Sequence, residues 1–316
     1  MEGMRVVSLL PSATEMLYAI GVEPVGVSHE CDYPPAAREL PAVNSSRVDP
    51  DASSTAIDEQ VQDALEEGGV YEIDRDQLVA LDPDVIVSQG ICDVCAVDDA
   101  DILRTVEELD LDTEVITSDP HSLEDMLSDI ERLGDLLDCS AEAEAVRAEL
   151  DSRIAEITQQ TPDDGPRVAV LDWLDPVMVA GHWVPGMVDR VGGSYGLADP
   201  GDRSRPREWT EIRDYDPEVL IVSPCGFGLD QTMENATDLT TRDGWDELTA
   251  VQNEQVYVID GHHYINRPGP RLVDSLAALA SVIHPGSVDP PAEAVERFPC
   301  TGSSQPDSIP GRTRNR

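Results

Sequence analysis

The residues in this chain best suited to chemistry are its thiols and imidazoles, and most of them follow short apolar runs. His29 and Cys31 come after Pro24–Val27, Cys92 and Cys95 after Val85–Val87, and Cys225 after Leu220–Val222. His182 lies beyond Arg167–Leu171, and His262 and His263 come after Val256–Ile259. Thiolate and imidazole together select zinc, copper or iron over magnesium. Cys31, Cys92, Cys95 and Cys225 are therefore the candidate metal ligands, with zinc or iron as the candidate ions. Taken alone, the Cys92-x-x-Cys95 pair fits a redox dithiol, half of a metal site or two buried small residues equally well. His29, His182, His262 and His263 are candidate ligand contacts. Arg267 and Arg271 follow the His pair and supply two fixed cations, for a carboxylate or phosphate or for the chain's own acids. Tyr33, Trp173, Trp183 and Phe227 fall in the same loops and suit a large planar or apolar ligand.

The elements that carry these loops can be read from apolar periodicity. Arg5–Leu10, Val85–Val87, Glu114–Ile116, Arg167–Leu171, Val219–Val222 and Gln255–Ile259 are short apolar runs without alternation, the pattern of buried parallel strands. Helical segments separate them, so the expected fold class is α/β, with two doubly wound, mostly parallel-sheet lobes. In such sheets the loops at the carboxyl ends of the strands line the ligand crevice. Ser12-Ala13-Thr14-Glu15 reads as a capping box, with Ser12 as N-cap and Glu15 at N3. The unit Asp82-Pro83-Asp84 before Val85-Ile86-Val87 recurs as Asp216-Pro217-Glu218 before Val219–Val222. Between the repeats, Leu123, Met126, Leu127, Ile130 and Leu133 form a helical stripe, with Ser122 as N-cap. A second helical run, capped by Ser140, carries Val146, Leu150, Ile154 and Ile157. The expected organisation is an amino-terminal α/β lobe (1–121), a linking helical spine (122–160), a carboxyl-terminal α/β lobe (161–285) and a disordered tail (286–316).

The charge balance narrows the partners. Asp and Glu number 64 against 21 Lys and Arg, a net charge of −43, and every one of those cations is Arg. With 40% hydrophobic residues in periodic segments the chain is not a disordered acidic polymer. It carries the solvated surface of a halophilic protein. Nucleic acid and anionic membrane surfaces are excluded as partners by the sign of that field. No apolar run is long enough to span a bilayer, so membrane insertion is not expected. Met1–Arg5 shows no signal-type segment, which places the chain in the cytoplasm as written, or outside it if the true start lies upstream. Without Lys there is no Walker A motif, and neither G-x-S-x-G nor H-E-x-x-H occurs, so no enzyme is expected.

The segments R-V-V-S-L-L-P-S-A-T-E-M-L-Y-A-I-G, C-D-Y-P-P, L-V-A-L-D-P-D-V-I-V, V-G-G and R-P-G-P-R resemble the iron-chelate and vitamin B12 substrate-binding proteins of ABC importers. The resemblance runs to about residue 285. It implies two α/β lobes bridged by a long helix and a corrinoid (cobalamin), haem or iron chelate in the cleft between them. It makes Tyr33 an aromatic ligand contact and puts Trp173 within one position of another. An ABC permease is the implied partner, docked through Asp76 in the first lobe and through Glu211 beside Thr210 in the second. The expected function is that of a corrinoid-binding or iron-chelate-binding protein. A cytoplasmic transition-metal-binding protein using the cleft Cys and His, and a metal- or thiol-dependent enzyme on the same scaffold, are the alternatives.

Overall fold

The structure, a computed structural model, describes residues 3–66, 68–91, 97 and 99–300. Cys92 and Cys95 lie outside the described residues. The first sheet has the order β2-β1-β5-β6, all parallel, from β1 (Val6–Ser8), β2 (Gly26–Val27), β5 (Val85–Gln89) and β6 (Glu114–Ser118). Its connections carry α1 (Pro11–Ala19), α2 (Ser54–Glu66), α3 (Arg75–Leu81) and α4 (Asp99–Glu108), with a two-stranded ribbon of β3 (Asn44–Ser46) and β4 (Tyr71–Ile73). Both faces of this sheet are covered, which is why its strands read as unbroken apolar runs. Val6, Val85 and Val87 pack into the main core, and Val7 and Ile86 pack with Leu78, Leu81 and Ile102 on the other side.

Helix α1 starts two residues earlier than a Ser12 cap requires. Leu10 is the N-cap, without a side-chain bond, and Pro11 occupies the first turn, where a missing N–H costs nothing. Glu15 is thereby freed from capping and turned inward, where it is 3% exposed.

The helical stretch in the middle folds back on itself. Helices α5 (Leu123–Leu136) and α6 (Ser140–Gln160) are antiparallel, with Arg147 of α6 ion-paired to both Glu124 and Glu131 of α5. Ser122 caps α5 by accepting from Asp125 N–H, as its position predicts. Ser140 does not cap α6. It is the first helical residue, and its hydroxyl donates to Asp135. The hairpin is tight because Gly134 has no Cβ: one placed there would lie 2.3 Å from Ala143 Cβ. Helix α5 leans on α1, and α6 leans on α12 (Leu272–Ile283), so one continuous apolar core runs from Val6 through Ile130 and Ile154 to Leu276.

The second sheet is six-stranded, in the order β12-β11-β10-β7-β8-β9. Its parallel centre comprises β7 (Val168–Trp173), β10 (Val219–Val222) and β11 (Val256–Ile259). β8 (Met178–Val179), β9 (Arg205–Pro206) and β12 (Val295–Arg297) are antiparallel additions. The connections include α7 (Val184–Arg190), α8 (Trp209–Tyr215), α9 (Leu229–Glu234), α10 (Thr237–Thr240) and α11 (Thr249–Gln252). β12 corrects the expectation of a disordered tail from residue 286: it pairs with β11, and Phe298 is buried against Trp245. Residues 301–316 lie outside the described residues.

The repeated D-P-D and D-P-E units make the same bonds in each half. Arg5 donates to Asp82 O and also to Leu81 O, and its own N–H bonds Asp84; Arg167 donates to Asp216 O, and its N–H bonds Glu218. Asp82 and Asp216 end their helices with φ of 43° and 48°. Among the described residues no helix is long and apolar enough to cross a membrane.

Gly134→Leu is expected to destabilise the protein by about 1–3 kcal/mol through overpacking, more than the ~1 kcal/mol gained by removing glycine from a helix. Denaturant unfolding in high salt measures it. Stability at or above the wild-type value would show that the hairpin does not need this close approach.

Candidate functional site

The loops at the carboxyl ends of the two parallel sheets meet, and charged groups bridge them. From the first half come Glu15 on α1 and Asp32, in the loop after β2. From the second come His262 and His263, in a single π-helical turn (Gly261–Ile265) after β11, with Arg267 and Arg271 on the way into α12. Such turns re-aim side chains at functional positions. Only glycine fits at 261, since a Cβ there would lie 2.1 Å from Pro224 O.

Arg271 grips Glu15 with both forks, Nε at 3.0 Å and Nη2 at 2.6 Å from its two carboxylate oxygens. Arg267 Nη1 lies 2.5 Å from Asp32 Oδ1 and 3.9 Å from Glu15. Burial raises the Glu15 carboxyl above its ordinary value, and the two guanidiniums beside it work against that shift. Asp32 goes the other way. Burial would raise it, but bonds from His262 and His263 and the Arg267 charge hold it well below the usual carboxylate range. The two cations expected to greet an anionic ligand are thus already paired with the chain's own acids.

Asp32 Oδ2 also faces both imidazoles, with His262 Nε2 at 3.2 Å and His263 Nε2 at 3.3 Å. Asp260 holds His263 from behind: its Oδ2 lies 2.8 Å from Nδ1, and its Oδ1 accepts the His263 backbone N–H. With a carboxylate on each ring nitrogen, His263 is pushed up to about 9. Arg267 Nη2 lies 3.1 Å from His262 Nε2. Asp32, His262 and His263 have their donor atoms within 4.8 Å of one another, an arrangement able to hold a metal ion.

The other expected site residues are dispersed. Tyr33 is 46% exposed, with Arg271 stacked 4.2 Å over its ring. Trp173 packs against the buried ring of Phe227 at 5.2 Å, and Trp183 is buried, donating to Ile265 O. His182 lies against Trp183 and His121, and burial brings it down to about 4. His29 is tied to Asn44 and Glu30, beside Tyr71 of β4. Cys31 corrects the thiol reading. It is 4% exposed, sits with Val27 and Ala37, bonds Thr14, is pushed up to about 12 by burial, and does not join the Asp32–His262–His263 group. Cys225, half-buried with its N–H on Asp172 O, does not join the Asp32–His262–His263 group.

Glu15, Asp32 and Asp260 were missed. Asp32 stands inside the C-D-Y-P-P segment, but nothing in one sequence marks one acid among 64. The floor of the second sheet holds another omission: Asp172 Oδ1, Trp173 Nε1 and Ser223 Oγ are buried without a hydrogen-bond partner among the described residues. The Asp172 carboxyl keeps slight overall exposure, but this oxygen is shut off, and burial pushes the group up to about 6.

The chain matches the Periplasmic binding protein family over residues 6–262. It is 26% identical over 292 residues to a cobalamin-binding protein of Halobacterium salinarum, covering 90% of this chain and 70% of that one. It is 22% identical over 293 residues to the uncharacterized ABC transporter substrate-binding lipoprotein YvrC of Bacillus subtilis, covering 90% and 81%. The periplasmic vitamin B12 binding protein BtuF of Vibrio cholerae superposes with a TM-score of 0.65 at 22% identity, covering 89% and 96%. The cytoplasmic placement expected from Met1–Arg5 is overturned by these likenesses, since one relative is a lipoprotein and the structural neighbour is periplasmic.

Glu15→Ala strands Arg271 in a buried setting and is expected to cost about 3–5 kcal/mol, whereas Glu15→Met with Arg271→Met recovers most of it. Chemical unfolding of both variants in high salt decides this, and a loss below ~1 kcal/mol would remove the pair from the fold's foundations. Asp172 has a folded value above its unfolded one, so its cost appears as pH rises from about 4 through about 6. Asp172→Asn is therefore expected to be more stable than wild type by about 1–3 kcal/mol at pH 8, with the gap closing near pH 4. A gap independent of pH would refute the assignment.

Proposed function

We propose, the chain belonging to the periplasmic binding protein family, that it is the substrate-binding component of an ABC importer and holds a corrinoid between its lobes. The observation that carries this reading is the family match over residues 6–262, set on two facing rims that bring aromatic residues from both halves. Tyr33 offers an exposed ring, stiffened by the Arg271 stack. Trp173 offers an indole whose buried N–H has no partner among the described residues and is suited to an amide carbonyl of a corrin side chain. Cobalamin-binding and vitamin B12-binding relatives support corrinoid ahead of haem or another iron chelate. His262 and His263 are partly exposed at this rim, and such imidazoles are able to reach a ligand's metal.

Binding without catalysis fits the chemistry of the site. Cys31, with its thiol pushed up to about 12, is no nucleophile at neutral pH, and Glu15 and Asp32 are engaged in ion pairs. Asp76 and Glu211 are exposed in the first turns of α3 and α8, the helices that precede the equivalent strands β5 and β10. They are the acidic pair offered to a permease, with Glu211 also bonded to Arg207. The protein works outside the cytoplasm, where such a permease collects its cargo.

Titration of the purified protein with cyanocobalamin in high-salt buffer, followed by tryptophan fluorescence, is expected to show one equivalent bound. Tyr33→Ala and Trp173→Ala should each weaken binding by about 10-fold or more, the loss of one good aromatic contact. Uptake of haem or a ferric hydroxamate in place of cyanocobalamin would move the assignment to iron chelates. Failure of all three to bind would end it.

A further inference from the structure

The group formed by Asp32, His262 and His263 has the dimensions of a metal site. An ion bonded at about 2.1 Å to nitrogen and oxygen in a tetrahedral array sets its ligand atoms about 3.4 Å apart. Asp32 Oδ2 lies 3.2 Å from His262 Nε2 and 3.3 Å from His263 Nε2, so two edges of that tetrahedron are already drawn. We infer that Asp32, His262 and His263 form a binding site for a divalent borderline transition metal of the zinc type, held across the two lobes and using none of the described cysteines.

Three further observations support the assignment. Asp260 lies 2.8 Å from His263 Nδ1, the carboxylate–imidazole arrangement that fixes a ligating histidine with Nε2 toward the metal. The local charge suits a dication: with the imidazoles neutral, as metal ligation requires, Glu15, Glu30, Asp32 and Asp260 against Arg267 and Arg271 leave the cluster two negative charges in excess. The site is also reachable, with side-chain exposure of 26% at His262, 38% at His263 and 17% at Asp32. Arg267 is the competitor, since its Nη2 lies 3.1 Å from His262 Nε2. Metal binding exchanges that contact for a metal–nitrogen bond, while Arg267 Nη1 stays on Asp32 Oδ1, the oxygen the metal does not use. Two nitrogens and one oxygen leave the fourth position open to water or to a donor atom of a ligand.

This site does not depend on the corrinoid assignment, and its test uses none. Chelator-stripped protein in high-salt buffer is titrated with zinc(II) alone and, as a coloured stand-in, with cobalt(II). One equivalent of zinc is expected to bind with a Kd of about 1 μM or tighter and to raise the melting temperature, because the ion ties the lobes together. His263→Gln and Asp32→Asn should each lower the affinity by about 100-fold, and Asp260→Asn by about 10–100-fold. Cobalt should give the spectrum of nitrogen and oxygen ligation. Absence of stoichiometric binding to folded wild-type protein, thiolate charge-transfer bands with cobalt, or undiminished affinity in folded His263→Gln would each overturn the site. If a variant fails to fold, the wild-type cobalt spectrum decides alone.

Discussion

A pair of buried guanidiniums from one half of the molecule, each closed on a carboxylate from the other, is the interaction on which the rest of this structure depends. Arg271 on Glu15 and Arg267 on Asp32 take four charged groups largely out of water where the halves touch. Desolvating charges is costly, and only near-ideal geometry with further hydrogen bonds offsets it. The bidentate Arg271–Glu15 fork and the additional donors on Asp32 supply both. Separating the halves would break these bonds in a setting where salt screens little, so the contact resists molar ionic strength better than the exposed pairs do. Other contacts of the same sense lie elsewhere along the rims: Ser54 bonds Asn235 and Asp238, Gln231 bonds Pro50 O, and His121 reaches Gly201 O. Together with the α5–α6 hairpin behind them, they hold the two sheets in fixed relation.

That fixity makes sense of how the acids are distributed. A net charge of −43 makes the chain's surface repel itself. Arginine is then the scarce component. Several arginines tie neighbouring elements nearer the surface, as half-buried Arg147 does across the hairpin. The two in the N-R-P-G-P-R segment are drawn inside instead, where Gly269 lets the backbone approach Ser12 closely. A ligand entering this cleft meets arginines already closed on the chain's own acids, not a basic pocket, so a negative charge on the ligand is a poor guide to selection there. Shape and aromatic contact become the better discriminators.

Much of the fold was legible because it rests on local rules. Unalternating apolar runs marked the buried parallel strands, the D-P-D and D-P-E repeats marked where helices stop on a left-handed Asp, and Ser122 marked a true cap. What escaped depends on partners distant in sequence. Glu15 sits three residues after Ser12, which is the spacing of a capping box, yet its partner is 256 residues away at the N-cap of α12. Cys31 shares a loop with Asp32, but one side chain turns into Thr14 and the other into Arg267. Strand-end position predicts which loops gather and leaves open which neighbouring side chain faces the gap. The strand at Val295–Arg297 was hidden for a related reason: three residues on a sheet edge, in a segment rich in Pro and Ser, carry too little pattern to be seen.

The two oxygens of Asp32 show how one residue can serve stability and recognition together. Oδ1 closes on Arg267 and belongs to the ionic seam, while Oδ2 points at His262 and His263 and belongs to the imidazole group. Because Asp32 comes from one half and the histidines from the other, whatever occupies the imidazole side pulls on the same carboxylate that locks the halves. Occupancy and rigidity are therefore linked through a single side chain. By the reciprocity of linkage, an occupant that strengthens the seam must itself be bound more tightly when the seam is intact.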